Sequence, residues 1–159
     1  MTATNSPPRH DRRAISPSIW LADTMTGADL TIGGRRVWLH MLLDSISATP
    51  VGFRWDHLGG GHGAVAVLRS ALAAYPVPHT IHTDFGAAYT SAYAVMCGRH
   101  GIRLVRSRDP RLLLERIFGR VQRQFVHGLG RVSDSVTDIE HLNQLFAEWL
   151  DSYQDRLQA

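Results

Sequence analysis

The chain has 159 residues and a formal net charge of +3 at pH 7, with 44% hydrophobic and 19% charged residues. This size favours one domain, because a chain of roughly 150 residues buries about 70% of its unfolded surface. The single cysteine, Cys97, excludes an internal disulfide and a zinc site with two thiolates. No apolar run approaches the roughly 18 residues of a spanning helix, and the N-terminus lacks a secretion signal. We therefore expect a cytoplasmic protein without a membrane span.

Positive charge is concentrated in one part of the chain. All 17 basic residues are arginine, and residues 1–132 hold 16 of them against 8 acids. Residues 133–159 hold 1 arginine against 6 acids, whereas 99–131 alone contain nine arginines. A localised positive field favours polyanions, above all nucleic acid. The charge count fits a solvated arginine face equally well.

The first third of the sequence predicts a tail followed by three strands. Residues 1–16 are polar and contain Pro7 and Pro8, which predicts a flexible tail or a connection to an upstream segment. The short run at 18–24, the apolar run at 37–43 and the alternating run at 50–55 predict a three-strand meander.

The rest of the sequence alternates between helices and strands. After HLGGGHG, helical spacing runs from Val65 to Tyr75, and two prolines follow it. A strand at 79–85, a helix at 91–100 and a strand at 102–107 come next. The HLGGGHG segment lacks the lysine of a phosphate-binding loop, so we interpret it as a plain loop.

Two amphipathic helices complete the chain. Apolar residues from Leu114 to Phe125 share one helix face, and a capping-box pattern from Thr137 to Glu140 opens the last helix. The order βββαβαβαα predicts an α/β fold with a mixed sheet and helices on both faces. We divide the chain into a tail (1–16), a core (17–132) and a C-terminal helix that packs on or beside the core (133–159).

Three acids stand out by their position in these elements. Asp23 ends the first predicted strand, Asp84 ends the fourth, and Glu115 lies in the arginine-bordered helix. Carboxylates that meet at a sheet edge repel one another and favour a hard divalent cation with oxygen ligands. For any single Asp, however, a turn or a cap is the commoner role, and spacing alone does not bring the three together.

Several segments resemble the integrase catalytic core of insertion-sequence transposases and retroviral-type integrases. They are WLADTMTG, VWLHMLLDSIS, PHTIHTDFGAAYTS, GIRLVRSR and LERIFGRVQRQF. The C-terminal DIEHLNQLFAEWLDSY is similar to the helix that follows this core in bacterial members. The resemblance extends from Ile19 to Tyr153, and it implies an RNase H-like fold.

The resemblance also implies a catalytic site and its cofactor. Asp23, Asp84 and Glu115 match the Asp-Asp-Glu triad, which binds two Mg²⁺ or Mn²⁺ ions. In that chemistry, water cuts one DNA strand and the freed 3′-OH attacks a target DNA. We expect five arginines to hold DNA phosphates: Arg108, Arg111, Arg116, Arg120 and Arg123.

The implied partners are DNA and further copies of the chain, at least as a dimer. Family members usually add an N-terminal helix-turn-helix region and often a C-terminal β domain, and neither fits within 159 residues. We therefore expect DNA-end recognition to need a separate domain or subunit.

Two departures from the family pattern keep alternatives open. Phe85 stands where the family usually has Asn, and RDPRLLLE replaces a glycine- and lysine-rich loop before the Glu. One alternative is a non-catalytic remnant with residual DNA binding, and another is a nuclease of the same fold without strand transfer. We interpret Asp44 as a structural turn residue and Cys97 as a packing residue.

Overall fold

In a computed structural model of the chain, the structure describes residues 19–86, 88–107, 112–130 and 135–158. The predicted tail therefore lies outside the described residues. Within these ranges, no helix combines the length and the apolar character needed to cross a membrane. The division of the chain into tail, core and C-terminal helix stays a prediction.

The described residues contain five strands: β1 (Ile19–Ile32), β2 (Arg35–Asp44), β3 (Pro50–Asp56), β4 (Thr80–Thr83) and β5 (Arg103–Arg106). They form one mixed sheet in the order β3-β2-β1-β4-β5. The meander strands β1, β2 and β3 pair antiparallel, whereas β4 pairs parallel to β1 and β5 parallel to β4.

The helices lie on both faces of the sheet. One apolar cluster contains residues of α1 and α2, and a second contains residues of α3 and α5. The helices are α1 (Gly61–Ala74), α2 (Ser91–Arg99), α3 (Leu112–Arg120), α4 (His127–Leu129) and α5 (Ile139–Gln158), and a π-helical segment, Val121–Val126, joins α3 to α4. The predicted α/β fold with a three-strand meander is confirmed.

The first strand is longer than the sequence pattern indicates. We predicted its end at Thr24, but β1 continues to Ile32. Its pairing with β2 shifts register between Thr26 and Thr31, and the two strands pair again after this irregularity. The pair then closes through Gly33 and Gly34, both at positive φ, which glycine adopts without steric cost.

The longer strand also corrects the position of Asp23. This residue lies within β1 rather than at its end, and it pairs with Met41 of β2. The parallel partner β4 is bonded to β1 only from Ile19 to Leu21. Asp23 therefore lies just beyond the segment that β4 covers, at the carboxyl end of that pairing.

The last helix begins one residue later than its capping-box pattern predicts. The side chain at the cap is that of Asp138, whose Oδ1 accepts a hydrogen bond of 2.8 Å from the backbone N–H of His141. The Asp138 carbonyl accepts from the N–H of Leu142. Thr137 was the predicted cap, and the carboxylate next to it takes that role because it is the stronger acceptor for N–H groups at a helix start.

Candidate active site

The first candidate acid, Asp23, is held inside the sheet. Its side chain is only 9% exposed, and its Oδ1 accepts a hydrogen bond of 2.8 Å from the backbone N–H of Thr24. Antiparallel pairing with Met41 fixes the backbone of Asp23. A carboxylate in this setting has little freedom to move away from its position.

The second candidate acid, Asp84, follows directly after β4. Its Oδ1 accepts a hydrogen bond of 2.8 Å from the N–H of Gly86, which closes a tight turn around the carboxylate. A Cβ atom on residue 86 would lie 2.7 Å from this oxygen, so a larger residue there would displace the carboxylate. Phe85, between Asp84 and Gly86, is 68% exposed, so its side chain is not packed into the turn.

Asp23 and Asp84 line the same cavity, which measures about 370 Å³. Trp38 of β2, Gly59 of the β3–α1 loop and Tyr89 of the turn before α2 form other parts of its wall. The parallel pairing of β1 with β4 is what brings the two acids together, although 61 positions separate them in the sequence. Two carboxylates in one cavity create a negative potential that favours a cation.

The structure does not bring the third candidate acid into this group. Glu115 lies on the exposed side of α3, next to Leu114, which is buried in the apolar cluster of α3 and α5. Across the described ranges, no three His, Cys, Asp or Glu side chains lie close enough together to hold a metal ion. The predicted triad is thus present here as a pair of acids and a separate glutamate.

The five predicted DNA-binding arginines have different surroundings. Arg108 and Arg111 lie outside the described residues. Arg116 and Arg123 are exposed. Arg120 instead donates a hydrogen bond to the hydroxyl of Tyr153, and its guanidinium carbon lies 5.4 Å from the centre of that ring. Its contact with α5 gives Arg120 a structural function besides any contact with phosphate.

Sequence reasoning missed a group of polar residues beside the cavity. His40 contacts Thr24 through a distance of 2.9 Å between Nδ1 and Oγ1, and Thr24 Oγ1 lies 3.2 Å from the hydroxyl of Tyr89. An imidazole within the apolar run VWLHMLL was the available signal, because a buried histidine needs hydrogen-bond partners.

Two expectations about other residues are confirmed. Asp44 is fully buried, and its Oδ2 accepts hydrogen bonds from the backbone N–H and the hydroxyl of Ser47, which makes it a turn residue. Cys97 is buried in the cluster of α1 and α2, and burial raises the pKa of its thiol to about 11. A thiol with that pKa stays protonated at neutral pH, as a packing residue does.

Solved structures similar to this chain include two of the HTLV-2 integrase catalytic core domain in complex with magnesium. The trimeric form has a TM-score of 0.64 at 16% identity, and the match covers 83% of this chain and 84% of that one. The dimeric form has a TM-score of 0.64 at 17% identity, with coverage of 82% and 83%. These likenesses show the RNase H-like fold of integrase catalytic cores.

A third solved structure is a simian T-cell lymphotropic virus intasome in complex with the PP2A regulatory subunit B56 gamma. The match to it has a TM-score of 0.67 at 21% identity and covers 93% of this chain. This chain spans about half of that one, at 53%. Comparison with curated proteins gave no match.

A family model matches more than half of the chain. The model is that of the integrase core domain, and it covers residues 13–111. The matched range contains Asp23 and Asp84 and ends four positions before Glu115. Together with the two acids that line one cavity, this match shows that the chain belongs to the integrase core domain family.

Proposed function

We propose that this chain is the catalytic core of a DDE-type integrase or transposase, which cleaves DNA phosphodiesters and transfers the freed strand to a second DNA. Family membership supports a function in DNA integration in general. The observation that carries the proposal is the shared cavity of Asp23 and Asp84 at the carboxyl end of the β1–β4 pairing. Ligands of α/β sheets collect at this edge.

The donor set of the cavity suits a hard divalent cation. Two aspartates line a cavity of about 370 Å³, and carboxylate oxygen is the ligand that Mg²⁺ and Mn²⁺ prefer. In the proposal, Asp23 and Asp84 hold two Mg²⁺ or Mn²⁺ ions and Glu115 completes the site when α3 approaches the cavity. The bound cations supply the Lewis-acid charge that activates the attacking oxygen and stabilises the leaving oxygen.

The DNA contact in the proposal lies on α3 and the segments around it. Arg116 is exposed on α3 next to Glu115, so a phosphate held there would lie near the glutamate. Arg123 is exposed on the π-helical segment that follows α3. Arg108 and Arg111 extend this positive stretch, and Arg120 contributes charge from its contact with Tyr153. Contacts of this kind orient DNA without reading its sequence.

Assembly and DNA-end recognition are further parts of the proposal. The similar HTLV-2 integrase core occurs in dimeric and trimeric forms, and this supports a homo-oligomer for our chain. The proposed core acts with a separate domain or subunit that recognises the DNA ends. Relation to the bacterial insertion-sequence branch is also a proposal, supported by the C-terminal motif DIEHLNQLFAEWLDSY.

A second candidate function is a non-catalytic remnant that keeps the fold and binds DNA weakly. The observation in its favour is the position of Glu115 on the exposed side of α3, apart from the two aspartates. Phe85, in place of the family's usual Asn beside the second acid, points the same way. The enzyme and the remnant differ in one measurable property, which is cation binding by the aspartate pair.

The deciding experiment is a calorimetric titration of the whole chain with Mn²⁺. We expect wild type to bind and Asp84→Asn to lose binding, because the variant removes one of two anionic ligands. Asp29→Asn is the matched control, since Asp29 is an exposed aspartate elsewhere on β1 and does not line this cavity. A hundredfold excess of Mn²⁺ over Kd raises the stability of a binding protein by about 2.7 kcal/mol, so thermal shift gives an independent readout.

Each result of this titration separates the candidates. Binding that Asp84→Asn abolishes and Asp29→Asn retains supports the enzyme. Folded wild type that binds no Mn²⁺ overturns the enzyme in favour of the remnant. Once binding is established, joining of labelled 3′-OH ends to a second DNA distinguishes an integrase from a nuclease, which cuts without joining.

A further inference from the structure

His40 is a buried polar residue in the middle of the apolar strand β2. Its side chain is 1% exposed, and it points to the sheet face that α1 covers. Its Nε2 lies 2.9 Å from the carbonyl oxygen of Leu58, and its Nδ1 lies 2.9 Å from Oγ1 of Thr24. Both ring nitrogens therefore have partners, as the burial of an imidazole requires.

The carbonyl of Leu58 fixes the tautomer of this imidazole. A carbonyl oxygen only accepts, so the proton is on Nε2 of His40. Burial is the largest influence on His40 and lowers its pKa, so the ring is neutral at pH 7 and Nδ1 is an acceptor. Thr24 then donates its hydroxyl proton to Nδ1.

The direction of the next bond follows from the same argument. Thr24 has one hydroxyl proton, and that proton is used toward His40. The oxygen of Thr24 therefore accepts from the hydroxyl of Tyr89, 3.2 Å away. The result is an ordered chain of donors that runs from Tyr89 through Thr24 and His40 to the carbonyl of Leu58.

The members of this chain belong to separate walls of the cavity. Thr24 follows Asp23 and donates its backbone N–H to that carboxylate. Tyr89 lines the cavity in the turn between Asp84 and α2. Leu58 precedes Gly59, which lines the cavity from the β3–α1 loop. One network thus connects the strand of the first acid, the turn of the second acid and the loop that faces them.

The glycines of HLGGGHG make room for this network. A Cβ at residue 63 would lie 2.4 Å from Nε2 of His40, and a Cβ at residue 59 would lie 2.6 Å from the Trp38 ring. No side chain larger than hydrogen fits at either position unless the rings move. Residues 57–60 of this segment form the β3–α1 loop, and residues 61–63 begin α1, which corrects the prediction of a plain loop. Its glycines allow the backbone to approach the two aromatic rings of β2.

We propose that His40 is a positioning residue, which holds Thr24 and Tyr89 so that Asp23 and Asp84 keep their places in one cavity. This inference rests on the proposed cation-binding function. It adds a determinant outside the triad, on a strand that contributes no acid to the site. Residues that hydrogen-bond and orient the ligands of a metal commonly change the affinity of the site for the metal 10- to 100-fold when they are mutated.

The test removes one bond of the chain without removing the imidazole. His40→Leu is the direct variant, but it leaves the Leu58 carbonyl and the Thr24 hydroxyl without their partner and destabilises the fold. Thr24→Val deletes only the hydroxyl at nearly constant volume, and Thr24→Ser restores it. We expect Thr24→Val to weaken Mn²⁺ binding roughly tenfold or more, and Thr24→Ser to bind close to wild type.

Nitrogen-15 NMR of the histidine side chains reads the network independently of any cation. We expect His40 in apo wild type and Thr24→Ser to show the Nε2–H tautomer, and Thr24→Val to shift the Nδ1 resonance toward that of an acceptor without a donor. A Nδ1–H tautomer in wild type overturns the inference. The inference is also overturned if wild type binds Mn²⁺ and Thr24→Val binds it with the same affinity. Failure of wild type to bind Mn²⁺ overturns the proposed function first, and the tautomer then shows whether the network itself exists.

Discussion

The two parts of the candidate site are held in place by different forces. Asp23 and Asp84 are positioned by strand pairing and by backbone hydrogen bonds to their carboxylates. Glu115 is positioned by the packing of α3, whose buried residues belong to an apolar cluster. Strand pairing fixes register residue by residue, whereas apolar packing is non-directional and tolerates small shifts of a helix. The aspartate pair is therefore the preorganised part of the site.

The packing of the α3 side depends on a group of aromatic rings. Phe146 of α5 lies at its centre, with ring centroids 5.0 Å from Phe53, 5.7 Å from Trp55 and 5.0 Å from Phe125. Because Phe125 belongs to the π-helical segment that continues α3, Phe146 links α5 to the helix of Glu115. The opposite face of the sheet carries the cluster of α1 and α2, and the hydrogen bond between His40 and Thr24 lies on that face.

The largest effect that separates the two sides is expected from Phe146→Ala. Phe146 is fully buried, so its truncation should lower the free energy of unfolding by about 3–5 kcal/mol. Urea unfolding measures the change, and Phe85→Ala is the matched control because Phe85 is exposed. Below the unfolding transition, the nitrogen-15 signals of His40 should stay as in wild type. Loss of those signals in folded Phe146→Ala would contradict the separation of the two sides.

An intermediate effect is expected where α5 meets the edge strand β3. Asn143 accepts from the N–H of Trp55 at 2.8 Å and donates to the carbonyl of Trp55 at 2.9 Å. Within the described sheet β3 is an edge strand, and the Asn143 amide bonds its backbone where a neighbouring strand would do so. The same amide donates to the carbonyl of Ile139.

Asn143→Ala removes both bonds to the backbone of Trp55. We expect a loss of roughly 1–3 kcal/mol in the free energy of unfolding, because partly buried backbone groups lose their partner. Thermal or urea unfolding measures it, with Gln144→Ala as the control on the exposed side of the same helix. Equal stability of the two variants would show that water replaces the amide without cost.

The order of the elements could be predicted from the sequence because apolar periodicity reports burial directly. The runs at 37–43 and 50–55 and the helical spacing from 65 to 75 correspond to β2, β3 and α1. The extension of β1 to Ile32 could not be predicted in this way, because a register shift in a strand pair depends on the partner strand as well as on the local sequence pattern.

The site was predictable in part for the same physical reason. The sequence pattern places Asp23 in the first strand and Asp84 directly after the fourth, and parallel pairing of these strands brings the two acids together. The place of Glu115 depends on how far α3 reaches along the sheet, which no spacing in the sequence specifies. The role of His40 could not be predicted, because its apolar neighbours indicate only a buried strand. Its two hydrogen-bond partners are distant in the sequence, at positions 24 and 58.

The smallest expected effect lies at the N-terminus of α5, and it distinguishes the observed cap from the predicted one. The bond from the His141 N–H lowers the pKa of Asp138 below its ordinary value of 3.8. The ionised carboxylate therefore stabilises the folded state at neutral pH. We expect Asp138→Ala to lower Tm at pH 7, and Thr137→Ala to leave Tm nearly unchanged, because the threonine hydroxyl only bonds the neighbouring carboxylate.

The pH dependence of this cap has a definite sign. A lowered folded pKa gives stability that is present above 3.8 and is lost as the pH falls through the folded value. The Tm difference between wild type and Asp138→Ala should thus shrink between pH 5 and about pH 3. Asp138→Asn still caps the helix but does not titrate, so its Tm should differ from that of Asp138→Ala by a constant amount over this range. Calorimetric melting of the three proteins across this range measures it. Because Asp138 does not line the cavity of Asp23 and Asp84, we expect the same Mn²⁺ affinity at pH 7 in all three proteins. A change in affinity would show that the position of α5 affects the aspartate pair.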